Sequence, residues 1–104
     1  MLGTIDQKEV TMKMSKTAAM QQAIQESGLS RWGDGWMMTA WNERAQAVRE
    51  YQYPSDYWQQ REHLTEWRAV RTLELMGYGE DAVMGLRQEG TLRERVDAAL
   101  RRLQ

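Results

Sequence analysis

From Ser15 onward, apolar residues recur at three- and four-residue spacings, the pattern of amphipathic helices joined by short, glycine-marked connections. Ser15 or Thr17 can cap a first helix, and Met20, Ala23 and Ile24 then share one face, predicting a helix over about 16–27 that Gly28 stops. Ser30-Arg31-Trp32-Gly33-Asp34-Gly35 reads as a turn. The helical spacing resumes through Met37, Trp41, Ala45 and Val48 and must finish before Pro54, which predicts a second helix over about 36–51. Pro54-Ser55-Asp56 is a helix start, and Tyr57, Leu64, Trp67, Val70 and Leu73 form the inward stripe of a third helix over about 56–76, ended by Gly77. Gly79, Glu80 and Asp81 open a short fourth helix that buries Ala82, Val83 and Leu86 and ends at Gly90. The fifth, over 92–103, has the clearest signature: Thr91 and Glu94 form a capping box, and Leu92, Val96, Ala99, Leu100 and Leu103 lie on one face.

Residues 1–14 lack helical periodicity. Val10, Met12 and Met14 alternate with Thr11 and Lys13 as in a short strand with nothing to pair with, so this segment reads as a mobile arm or, alternatively, an edge strand or a strand completed by another chain. The expectation is thus an all-α fold, a compact bundle of about five helices in a single domain over 15–104, preceded by a mobile N-terminal arm. At 104 residues the chain can bury one modest core.

Composition sharpens the functional reading mainly by exclusion. Without cysteine there is no disulfide framework, thiolate zinc site or thiol nucleophile. No apolar run approaches the roughly 20 residues that cross a bilayer, and the first residues lack the features of a signal peptide, so a cytoplasmic protein without membrane contact is expected. His63, the one histidine, shares a helical face with Glu66 and supplies half a metal site that no other His or Cys completes. Glu62/Glu66 and Glu80/Asp81 sit among arginines that would hold them ionised, and no catalytic triad or phosphate-binding glycine loop is spelled out. No enzyme activity, cofactor or metal is therefore expected.

Nucleic acid is the stronger alternative, because Trp41, Trp58 and Trp67 precede Arg44, Arg61 and Arg71 at helical spacing, and Arg–aromatic platforms stack bases. Direct contact is nonetheless disfavoured: 14 Lys and Arg face 15 Asp and Glu, which cancels the field that phosphates require. A helix-turn-helix drawn through Gly28 would have its recognition helix broken by Gly33 and Gly35.

Leu75-Met76-Gly77-Tyr78, with the segments 80–86 and 92–103, resembles the ubiquitin-associated-like three-helix domains, which open on a Met-Gly-Phe/Tyr loop and close with an apolar helix. The resemblance covers less than half of the chain and implies a small binding patch of Met76, Gly77, Tyr78, Leu100 and Leu103. Gly77 as a helix C-cap, with Tyr78 packed back on the third helix, accounts for the same residues without a ligand.

Five Trp and four Tyr, in a chain without Phe, exceed what one small core hides on an inward stripe. The reading reached from the sequence is a small non-catalytic protein-binding module, an accessory regulator or inhibitor of the kind found in phages and mobile elements, docking on a larger protein or nucleoprotein complex. Trp32, Trp36, Tyr53 and Trp58, around the two loops, are the expected partner contacts. The alternatives are a nucleic-acid-binding helical protein and a homodimer that buries the surplus aromatics.

Overall fold

The computed structural model describes residues 14–42, 45–79, 83 and 89–103. Helix α1 (Lys16–Gln25) leads into strands β1 (Ser27–Trp32), β2 (Gly35–Asn42) and β3 (Ala47–Tyr53), followed by helices α2 (Tyr57–Leu75) and α3 (Leu92–Leu103). The strands form one antiparallel sheet in the order β1-β2-β3. The fold is therefore α+β, which overturns the all-α, five-helix bundle: the segment expected as a helix over 36–51 is two strands of a meander.

The reason lies in the turn. Trp32 pairs with Gly35 across Gly33-Asp34, and Gly33 sits at φ 57° while Asp34 does not enter the positive region, the sign pattern of a type II′ hairpin turn with glycine first. Trp, Thr, Tyr and Val on either side favour a pleated surface, and the register then runs unbroken from Trp36↔Tyr53 to Asn42↔Ala47. Asn42 Oδ1 accepts the Ala45 N–H at 2.9 Å, and Gln46 takes a left-handed φ of 49° to close the second turn.

α2 packs on β1 and β2, burying Ser27, Met38 and Ala40 on the inner face of the sheet. β3 is different, being exposed at six of its seven residues. The main core lies at the other end of α2, where Ala69, Leu73, Val83, Val96 and Ala99 are buried with Met20, Val70 and Tyr78 packed against them. Apart from Val83, Glu89 and Gly90, the expected short helix that ends at Gly90 falls outside the described residues, as does the arm before Met14. The Met14 N–H itself is bonded to the Leu75 carbonyl at 3.0 Å.

Between sheet and core runs a polar seam. Arg71 Nε donates to Glu26 Oε1 at 2.7 Å, and Arg68 donates to the Ser27 hydroxyl at 2.7 Å and to its carbonyl at 3.0 Å. Arg95 reaches the Gly90 carbonyl at 2.8 Å and pairs with Glu62. Arg71 and Arg95 are buried and Arg68 half-buried, so three cations that would serve a solvent-facing reading are structural.

The helix ends follow the capping chemistry. Ser15 accepts from Ala18 N–H at 3.2 Å, while Asp56 rather than Ser55 caps α2, accepting from Gln59 N–H at 3.1 Å. Gly77 at φ 102° closes α2 in a Schellman motif, with Tyr78 N–H on the Leu73 carbonyl and Gly77 N–H on that of Glu74. Tyr78, Leu100 and Leu103 all pack on the core. The α3 capping box closes through Thr91 N–H to Glu94 Oε1 at 2.9 Å and Glu94 N–H to Thr91 Oγ1 at 3.2 Å.

Two carboxylates at this end link stability to pH. Bonds from the Thr91 backbone and hydroxyl hold the Glu94 carboxyl below its usual range, and the bond from Lys16 does the same for Asp97. A carboxyl depressed in the folded state contributes stability above its unfolded pKa of about 4, and loses it as the pH falls through the folded value. The melting temperature is expected to hold between about pH 7 and 5 and to fall below about pH 4, with a shallower fall in the Glu94→Gln/Asp97→Asn variant. Melting curves by circular dichroism check this, and an identical acid fall in the variant would contradict it.

Candidate functional site: an aromatic cleft at the end of the sheet

The β1–β2 turn and the Pro54-Ser55-Asp56 link between β3 and α2 lie side by side, because Trp36 is the register partner of Tyr53. Between them is an open cleft of about 480 Å³, walled by Trp32, Asp34, Trp36, Gln52, Tyr53 and Ser55. Gly35 lets the two backbones close on each other: a Cβ there would run into the Tyr53 carbonyl oxygen.

The rings of the cleft continue into two groups of ring contacts, Trp36–Tyr57–Trp58 and Tyr53–His63. Trp36 leans on Tyr57 with centroids 4.6 Å apart, Tyr57 meets Trp58 edge-on at 5.2 Å, and Tyr53 stacks on His63 at 5.8 Å. Arg31 lies over Trp36 at 5.4 Å, and Arg61 lies over Tyr57 at 5.5 Å while bonding its hydroxyl at 3.0 Å. These are the cation–π contacts of the sheet end; they join other partners than the Trp–Arg pairs expected from helical spacing. Trp36 Nε1 and Gln60 Oε1, one turn beyond Tyr57, are buried without a hydrogen-bond partner among the described residues.

Of the four residues singled out in the sequence, Trp32, Trp36 and Tyr53 line the cleft. Trp58 stands beside it on the first turn of α2, in contact with Tyr57. Trp32 is 61% and Trp58 77% exposed, so the cleft is flanked by two large side chains in water. Sequence reasoning missed Tyr57, Arg31 and His63 as neighbours of these residues. Tyr57 was assigned to the inward stripe of a helix whose contact with Trp36 depends on the sheet.

The cleft is lined by both aromatic and polar residues, with Trp32, Trp36 and Tyr53 beside Asp34, Gln52 and Ser55. Charge at this end of the sheet is mixed, with Arg31 over Trp36 and Arg61 over Tyr57 against Asp34 in the cleft wall and Asp56 at the start of α2. Among the described residues no group of three or more His, Asp or Glu is gathered as metal ligands, and no helix is long and apolar enough to cross a membrane. No family model matches the chain, and no curated protein or solved structure is similar to it.

Proposed function

We propose that the protein is a non-catalytic binding module that docks on a larger protein or nucleoprotein complex through the aromatic cleft and the two tryptophans beside it. The observation that carries this reading is the exposure of Trp32 and Trp58, at 61% and 77%, next to a preformed cleft. Tryptophan is the residue most enriched among interface anchors, because a rigid ring buries a large area at small entropic cost. Trp36 and Tyr53 of the cleft wall are half-buried, with Trp36 braced by Tyr57, and preorganisation of this kind lowers the cost of binding.

Mixed charge supports a protein partner over a nucleic acid. A phosphate backbone demands a net positive surface, whereas Arg68, Arg71 and Arg95 are used internally. On the outer face of the sheet Glu50 is the lone charge among the described residues, the other positions being Gly, Ser, Trp, Met, Thr, Val and Gln.

The test is capture from a lysate of the native host by the wild-type protein and by the Trp32→Ala/Trp58→Ala variant, with and without nuclease. Both rings are exposed, so the variant keeps its fold. The expected result is a stoichiometric protein that survives nuclease and binds the variant at least about tenfold more weakly. Equal affinity for both forms, or capture of nucleic acid alone, would overturn the reading.

A further inference from the structure

β3 is an edge strand with its surfaces open. α2 lies over β1 and β2 and meets β3 at Tyr53, which stacks on His63, while the inner-face residues Arg49 and Tyr51 are exposed along with Val48 and Glu50 on the other face. The strand contains no lysine, proline or bulge, and its two charges are of opposite sign, Arg49 on the inner face and Glu50 on the outer, so a pairing that keeps like charges apart is open to it.

The ladder fixes which backbone groups are free. Trp41 N–H bonds the Glu26 carbonyl at 2.7 Å, and Trp32 faces Gly35 across a two-residue turn, so the odd-numbered residues of β2 exchange bonds with β1 and the even-numbered ones with β3. Ala47, Arg49, Tyr51 and Tyr53, the register partners of those even-numbered residues, therefore bond inward. The N–H and C=O groups of Val48, Glu50 and Gln52 point off the edge.

We propose that β3 is a dimerisation edge, on which a second copy of the chain adds its own β3 antiparallel with Tyr51 on the two-fold axis. A two-fold perpendicular to the sheet preserves its faces, so only residues of the same face oppose each other and the axis must pass through a residue. Centred on Arg49, the pairing sets one guanidinium against another; centred on Glu50, it opposes two carboxylates, and like charges directly opposite are destabilising. Centred on Tyr51, it sets ring against ring, Arg49 opposite Tyr53 of the second copy, and Glu50 opposite Gln52. This register opposes no like charges and uses the free groups of Glu50 and Gln52. The product is a continuous sheet of three strands from each copy.

An edge contact buries little area, so the dimer belongs to the weak class, with dissociation in the micromolar range. Sedimentation from about 5 to 200 µM is expected to show a reversible monomer–dimer equilibrium. Glu50→Pro removes an outward N–H without touching the β2 ladder, and is expected to abolish dimerisation while circular dichroism stays native. Tyr51→Cys is independent of that variant's folding. The chain has no other cysteine, and opposed residues of a non-hydrogen-bonded pair lie within disulfide reach, so on air oxidation it is expected to cross-link at least about tenfold faster than Glu50→Cys. A monomer throughout the range, a dimer that survives Glu50→Pro, or faster cross-linking at Glu50 would each overturn the proposal. The edge shares Gln52 and Tyr53 with the cleft wall, and the Trp32→Ala/Trp58→Ala variant leaves both in place, so it is expected to dimerise normally, which separates this edge from the two tryptophans.

Discussion

Replacing Arg71 by leucine is expected to destabilise the protein by about 3–5 kcal/mol, the range for removing one partner of a buried ion pair. The side chains of Arg71 and Glu26 are 10% and 7% exposed, so little water is available to solvate a carboxylate left alone. Glu26 also stands where three elements meet. Its N–H caps α1 on the Gln22 carbonyl at 3.0 Å, its carbonyl receives Trp41 N–H from β2 at 2.7 Å, and its carboxylate receives Gln22 Nε2 at 2.9 Å beside Arg71 of α2. An uncompensated charge there is expected to disturb the joint between helices and sheet as well as the pair itself.

The companion variant Glu26→Leu/Arg71→Leu leaves no buried charge and is expected to lie within about 1–2 kcal/mol of the native protein, since well-packed apolar groups often replace a buried pair at small cost. Urea unfolding of both variants and of Glu26→Leu measures the coupling. A loss below about 1 kcal/mol for Arg71→Leu, or a double variant as unstable as the sum of the singles, would contradict the assignment of this pair as the joint of the fold.

What the sequence revealed of this architecture was local. The helices at 16–25, 57–75 and 92–103 are announced by residues that act over one turn: Ser15, Asp56, the Thr91/Glu94 box and Gly77. The sheet was hidden because β2 is apolar on both faces. Trp36 and Met38 face α2 while Met37 and Trp41 face outward, which erases the two-residue period. Met37, Trp41, Ala45 and Val48 then satisfy a helical count by accident of spacing. The countersigns were the Gly33-Asp34 pair between two tryptophan-bearing runs and the short alternation Glu50-Tyr51-Gln52-Tyr53, both strand signals.

The cleft residues could be singled out despite that error because the turn at 33–35 and the stop at Pro54 are correctly marked by Gly and Pro, whatever lies between them. The contacts made through tertiary structure left no trace in the sequence. Arg71 is 45 positions from Glu26, and Arg95 is 33 from Glu62, so no local pattern marks either arginine as internal.

Gly35→Ala distinguishes the two readings of this segment by sign. At the start of a helix, exchanging glycine for alanine would be neutral or stabilising by up to about 1 kcal/mol. In the hairpin, the new methyl group runs into the Tyr53 carbonyl oxygen and lies 3.1 Å from its carbon, and this obstacle is backbone that cannot swing aside. The expected result is a loss of about 3 kcal/mol, at the upper end of overpacking costs, as the last β2–β3 pair is forced apart. Because Tyr53 is part of that pair and stacks on His63, the change is also expected to alter tryptophan fluorescence from the cleft. Gly28→Ala is the control: a Cβ there meets nothing within 4 Å, so its cost is expected to stay within about 0.5 kcal/mol. Should the two variants unfold at the same urea concentration, the close approach at Gly35 would not be what holds the cleft together.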